Sequence, residues 1–177
     1  ATMPAHAANF PELSPSLTYP VSGTISPKCQ LAVTNSAVSI DNLANPADDM
    51  TMATNVSLPF EVACNTPVRV AMQSRNGGLQ SSGRGTSDPA FSSLITYQAR
   101  VDLPGQQGVL SCTSERMADG RKECQREAEG VVGSGAGAIR VQITAGQGLL
   151  LAGRYSDVVT IMIAPQMGGE DLGTTED

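Results

Sequence analysis

The segment from Leu17 to Ile25 places an apolar residue or a glycine at every second position. These positions are Leu17, Tyr19, Val21, Gly23 and Ile25. A period of two predicts a β-strand with one face made for an apolar core. Residues 1–16, which precede it, contain three prolines and no periodicity, and we interpret them as an extended linker. A strand held on such a linker completes either its own domain or that of a neighbouring molecule.

The rest of the chain repeats this alternation in short runs separated by turn-forming residues. About eight short strands with turn-rich loops are typical of an immunoglobulin-like β-sandwich, so we predict an all-β fold of that type. Besides the opening segment, the runs predicted to be strands are Cys29–Val33, Val56–Cys64, Val68–Met72, Leu94–Leu103, Val109–Cys112, Ile139–Ile143 and Tyr155–Ile163.

Three stretches between these runs carry predictions of another kind. Asn65-Thr66-Pro67 is predicted to be a hairpin-like turn between two strands. The mixed charges of Glu115–Glu129 make it the one candidate helix. The glycine-rich Val131–Ala138 loosely matches a dinucleotide-binding fingerprint, but that motif requires a following helix, and Ile139–Ile143 is strand-like. We therefore interpret Val131–Ala138 as a flexible glycine loop.

Composition limits the compartment and the partners. The chain has 177 residues, enough for one domain with a sizeable core, and its charged fraction of 16% lies below the globular average of about 25%. With a net charge of -6, an acidic surface argues against nucleic acids and anionic membranes as partners. No apolar run approaches the roughly 18 residues of a membrane span, so we expect no direct membrane insertion.

The chain has four cysteines, Cys29, Cys64, Cys112 and Cys124. An even number in an acidic β-rich chain favours two disulfides formed in an oxidising compartment, and four free buried thiols are the alternative. A Cys112–Cys124 bridge would close a short loop, and a Cys29–Cys64 bridge would join two strands. The crossed pairings stay open, because spacing alone does not decide between them.

Residues for catalysis are scarce. His6 is the only histidine and lies in the linker, so a serine–histidine or cysteine–histidine site, or a metal site with histidine ligands, has no basis. The sequence has no Cys-x-x-C pair, so a zinc site of cysteine ligands has little support. We predict no enzymatic activity, no cofactor and no metal.

Three segments of the sequence together resemble the spore coat protein U family, the subunits of archaic chaperone–usher pili. The most specific is Ala152–Ile163, which is similar to the family's closing A-G-x-Y-x-D-x-V-x-V strand. The others are the Leu17–Ile25 segment ahead of Cys29 and the Leu58–Cys64 run into the second cysteine. The chain departs from the pattern in its Cys112–Cys124 insert and in residues 166–177. Both departures leave shaft and tip roles open.

The resemblance implies an incomplete sandwich that lacks its last strand. A groove beside the C-terminal strand, lined in part by Val159, Ile161 and Ile163, would accept a donor strand from a neighbouring subunit. Residues 17–27 would then be the donor strand, 28–165 the pilin domain and 166–177 an acidic tail. During secretion, a periplasmic chaperone would fill the groove until an outer-membrane usher replaced it with a subunit.

The implied function is a structural subunit of a cell-surface pilus that serves adhesion or biofilm formation. Its partners would be identical or related subunits, with export through the periplasm. The alternative is a secreted, monomeric β-sandwich binding module with a complete fold, in which Leu17–Ile25 is the first strand of its own domain.

Overall fold

The computed structural model describes residues 17–33, 35–83, 85, 87–119 and 122–166. The predicted linker 1–16 and all but Gln166 of the predicted tail lie outside these residues. A short helix, α1, spans Ser114–Ala118, and a 3₁₀ turn spans Lys122–Cys124. The strands are β1 (Cys29–Val33), β2 (Thr54–Ser74), β3 (Leu79–Ser81), β4 (Phe91–Ser92), β5 (Leu94–Ile95), β6 (Tyr97–Leu103), β7 (Gln106–Thr113), β8 (Gln125–Ile143), β9 (Leu149–Leu150), β10 (Tyr155–Ser156) and β11 (Val159–Pro165).

The predicted all-β, sandwich-like class is confirmed. The largest sheet has the strand order β1-β2-β8-β6-β7, and β11 also pairs with β2. Two smaller sheets, β10-β3-β5 and the parallel pair β4-β9, complete the strand pairing of the described residues. One apolar core draws on residues 60–72 of β2 and on β5, β6, β7, β8 and α1.

Two long antiparallel strands form the centre of the largest sheet. β2 has 21 residues and β8 has 19, and their pairing extends from Thr54 opposite Ile143 to Ala71 opposite Gln125. Phe60 faces Gly137 across this pair. A Cβ atom at Gly137 would lie 2.5 Å from the Phe60 ring, so only glycine leaves room for the aromatic side chain.

The hairpin-like turn predicted at Asn65–Pro67 is wrong. β2 continues through these residues, and its register with β8 shifts between Cys64 and Pro67 and again between Pro67 and Arg69. These shifts are β-bulges, where a proline without an amide donor is tolerated inside a strand. We call residues 65–67 the β2 bulge.

The glycine loop predicted at Val131–Ala138 is also wrong, because these residues belong to β8. Gly133 and Gly135 have φ angles of 72° and 155°, which only glycine adopts easily. Glycines here let a strand bend without ending it, so a glycine-rich sequence is compatible with continuous pairing.

The helix predicted over Glu115–Glu129 is wrong in its extent. α1 ends at Ala118, and β8 begins at Gln125. Residues Gln125, Arg126 and Glu127 pair with Ala71, Val70 and Arg69 of β2. Sheet pairing therefore overrides the local helical tendency of this charged stretch.

The structure pairs Cys29 with Cys64 and Cys112 with Cys124. The first bridge joins directly opposite positions of β1 and β2. The second ties β7 to the 3₁₀ turn and closes the segment that carries α1, whose Met117 is buried in the core. Among the described residues, no helix is long and apolar enough to cross a membrane.

Candidate strand-acceptor groove

β2 gives one edge to β8 and the other to two short strands. β1 pairs with Phe60–Cys64 and β11 pairs with Val68–Ser74, both antiparallel to β2. Because β8 occupies the opposite edge, β1 and β11 follow one another along the same edge. A continuation of β1 upstream of Cys29 would need the part of β2 that β11 already occupies.

β11 has one paired edge and one open edge. Within the described residues, no strand other than β2 pairs with β11. In an antiparallel pair only alternate residues exchange hydrogen bonds with a given partner, so the other backbone groups of β11 point to the open edge. Such an edge is a template for the addition of another strand.

A groove of about 1220 Å³ lies beside β11. This volume exceeds the roughly 300–1,000 Å³ that is usual for a small-molecule pocket, and it favours an extended occupant. Its walls come from β1, β2, β8 and β11 and from residues 35–44 and 150–158, and they include the core residues Phe60, Tyr97 and Ile143. Apolar side chains from β1, β2 and β8 in its lining are Leu31, Val33, Val56, Leu58, Phe60, Ile139, Val141 and Ile143.

Of the three residues predicted for an acceptor groove, two are in the lining of this groove, and its role as a strand acceptor stays a prediction. Val159 and Ile161 of β11 belong to the lining. Ile163 is half-buried and packs against the core, but it is not part of the groove lining. The wall from β2 and β8 was recognised in the sequence only as core-forming alternation, because periodicity shows which face is apolar and not whether another element covers it.

Asp157, between β10 and β11, ties the start of β11 to other elements. Its carboxylate accepts hydrogen bonds from the Tyr97 hydroxyl at 2.5 Å, the Ser74 hydroxyl at 2.5 Å and the Asn76 amide at 3.0 Å. Burial, together with the hydrogen bond to Asp157, raises the pKa of Tyr97 well above its ordinary value. The phenol therefore stays protonated and continues to donate to Asp157.

We expect Asp157→Ala to destabilise the domain by roughly 2–4 kcal/mol, because four donors, the Val158 amide included, lose a charged acceptor. Urea denaturation of the purified protein measures the loss. Asp41→Ala is the matched control, since Asp41 is an exposed residue of the groove lining. Equal stabilities of the two variants would contradict the role given to Asp157.

Residues 17–28 form no strand in the structure. The apolar side chains of the predicted donor strand are solvent-exposed, at 75% for Leu17, 73% for Tyr19, 94% for Val21 and 88% for Ile25. Around Gly23, a Cβ atom would have no neighbour within 4 Å. The segment therefore leaves its apolar face uncovered by the described part of its own domain.

No protein-family model matches the sequence, and no curated protein matches it. Among solved structures, the chain is similar to one described as the CsuC–CsuE chaperone–tip adhesion subunit pre-assembly complex from archaic chaperone–usher Csu pili of Acinetobacter baumannii. The match has a TM-score of 0.35 and 16% sequence identity, and it covers 80% of this chain and 40% of that chain. The chain thus spans less than half of the matched chain's length. Similarity at this level does not define a function.

Proposed function

We propose that the protein is a structural subunit of an extracellular pilus and polymerises by donating Leu17–Ile25 to the groove of a neighbouring subunit. The observation that carries the proposal is the coexistence of two unmatched surfaces in one chain. One is the apolar groove to which β11, a strand with one unpaired edge, contributes Val159 and Ile161, and the other is the exposed, alternating apolar segment. Each exposes apolar surface that contact with the other would bury.

The energetics support an occupant that belongs to the fold. Burial of Leu17, Tyr19, Val21 and Ile25 contributes about 1.5–3 kcal/mol each, or roughly 6–12 kcal/mol together as an upper bound. An ordinary domain has a total stability of about 5–15 kcal/mol. A donated strand would therefore supply a share of the free energy of folding comparable with that of the domain itself.

Donation to a neighbour is favoured over insertion into the donor's own sheet. The apolar phase of Leu17–Ile25 continues through Leu31 and Val33, as it would if the segment extended β1. The edge of β2 that this extension requires is occupied by β11. The alternative of a complete, monomeric binding module would need another cover for the open core beside β11.

The assembly route and the compartment belong to the same proposal. A subunit with an open core would aggregate unless a chaperone lent it a strand, and an usher would then exchange that strand for a donor segment. The two disulfides support export to an oxidising compartment such as the periplasm. We propose membership of the spore coat protein U family and a role in adhesion or biofilm formation on this basis.

The purified full-length chain tests the proposal directly. We expect size-exclusion chromatography with light scattering to give a ladder of oligomers, and negative-stain electron microscopy to show thin fibres. The oligomers are expected to resist SDS at room temperature and to dissociate on heating. A stable monomer at high concentration, with no fibres, would refute the proposal.

A further inference from the structure

The β2 bulge holds the base of the donor segment through one side chain. Asn65 Oδ1 accepts a hydrogen bond from the Lys28 amide at 2.6 Å, and Asn65 Nδ2 donates to the Ser26 carbonyl at 3.1 Å. The Asn65 amide donates to the Lys28 carbonyl at 3.1 Å. Residues Ser26–Lys28 are thus fixed to β2 beside the Cys29–Cys64 bridge.

The same bulge holds the end of β11. The Thr66 hydroxyl donates to the Gln166 carbonyl at 3.2 Å, and the Gln166 amide donates to the Pro67 carbonyl at 2.8 Å. Three consecutive residues therefore connect the base of the donor segment to the end of the strand that borders the groove.

We propose that Asn65 is a positioning residue that fixes the direction in which the donor segment leaves its domain, relative to that domain's own groove. The proposal rests on the proposed function, in which the occupant of the next groove is a second copy of this chain. The angle between an incoming strand in the groove and the outgoing segment sets the angle between successive subunits. Asn65 thereby determines the stiffness of the polymer.

Asparagine suits this position because its amide group both accepts and donates. It satisfies the Lys28 amide and the Ser26 carbonyl at once through two separate atoms, whereas a hydroxyl would have to accept and donate through a single oxygen and an apolar side chain does neither. From Leu17 to Ile25 every side chain of the segment is exposed, so the direction of the segment is set at its base, residues Ser26–Lys28. Pro27, with its fixed φ angle, restricts the remaining freedom there.

The test compares Asn65→Ala, Asn65→Asp and the control Asn55→Ala, which removes an exposed asparagine from the same strand. Hydrogen exchange of the Lys28 amide is measured in the full-length chain with its disulfides intact. We expect exchange to be about tenfold faster or more in Asn65→Ala, because the amide loses its acceptor. Asn65→Asp keeps an acceptor for Lys28, so its exchange is expected to lie nearer that of the unsubstituted chain. Unchanged exchange in Asn65→Ala would overturn the proposal.

The second measurement is the distribution of angles between successive subunits in electron micrographs of fibres. We expect a broader distribution for Asn65→Ala than for Asn55→Ala, with similar fibre yield and melting temperature. A purely structural role would change yield or melting temperature instead, and equal angular distributions would refute the positioning role.

The positioning role of Asn65 can be tested independently of polymerisation. In chains held monomeric by Val21→Asp, residual dipolar couplings of the Thr24, Ile25, Ser26 and Lys28 amides report the direction of the segment without any polymer. A fixed direction that is lost with Asn65→Ala supports the positioning role even if no fibres form. An absence of fibres from the unsubstituted chain would refute the proposed function alone, and couplings unaffected by Asn65→Ala would refute the inference alone.

Discussion

A chain carrying Val21→Asp is expected to fold normally and to remain monomeric. Val21 is 94% exposed in the subunit, so an aspartate there costs the isolated domain almost nothing. In the groove of a neighbour the same carboxylate would be buried among apolar side chains without a partner. That burial costs several kcal/mol, and a loss of about 4 kcal/mol weakens association roughly a thousandfold.

The matched control is Ser22→Asp, one residue further along the segment. It introduces the same charge on the opposite, polar face of the predicted donor strand, which points away from the acceptor's core. Light scattering and electron microscopy are expected to show polymers for Ser22→Asp and monomers for Val21→Asp. Polymers of equal length from both variants would exclude the proposed packing of the odd-numbered residues.

Alternation in the sequence was sufficient to predict the class of fold, and it failed where a strand departs from regular geometry. The Val56–Cys64 and Ile139–Ile143 runs lie in β2 and β8, as their period of two indicates. The turn predicted at Asn65–Pro67 and the loop predicted at Val131–Ala138 are both parts of these strands. Proline and glycine mark turns in most sequences, but they also mark bulges, and long-range pairing decides between the two.

The groove was predictable only in part, for a related physical reason. Val159 and Ile161 were placed at the groove because their strand resembles a known closing strand, and both are in the lining. The roles of Asp157 and Asn65 were not predicted, since each acts through side-chain hydrogen bonds to partners 37 to 83 residues away in sequence. Single polar residues of this kind carry no periodic signal, and their importance appears only when the folded chain brings their partners together.

Removal of residues 1–27 is expected to abolish polymerisation and to leave a monomeric domain with an open groove. Residues 17–27 contribute no strand to the described fold, and the apolar side chains from Leu17 to Ile25 are exposed. The truncated domain should therefore fold but retain the uncovered core beside β11. It should also aggregate on heating more readily than the polymer does, because its apolar groove and strand edge stay open.

A synthetic peptide with the sequence of Leu17–Ile25 is expected to bind this truncated domain and to stabilise it. A ligand that binds only the folded state at a hundred times its dissociation constant adds about 2.7 kcal/mol, which raises the melting temperature of a domain of this size by roughly 5–10 °C. Differential scanning calorimetry measures the shift, and the same peptide with Val21→Asp is the control. An equal shift from both peptides would mean that the odd-numbered side chains of the segment are not buried in the groove. No shift from either peptide, together with a stable truncated monomer, would mean that the core beside β11 needs no donated strand.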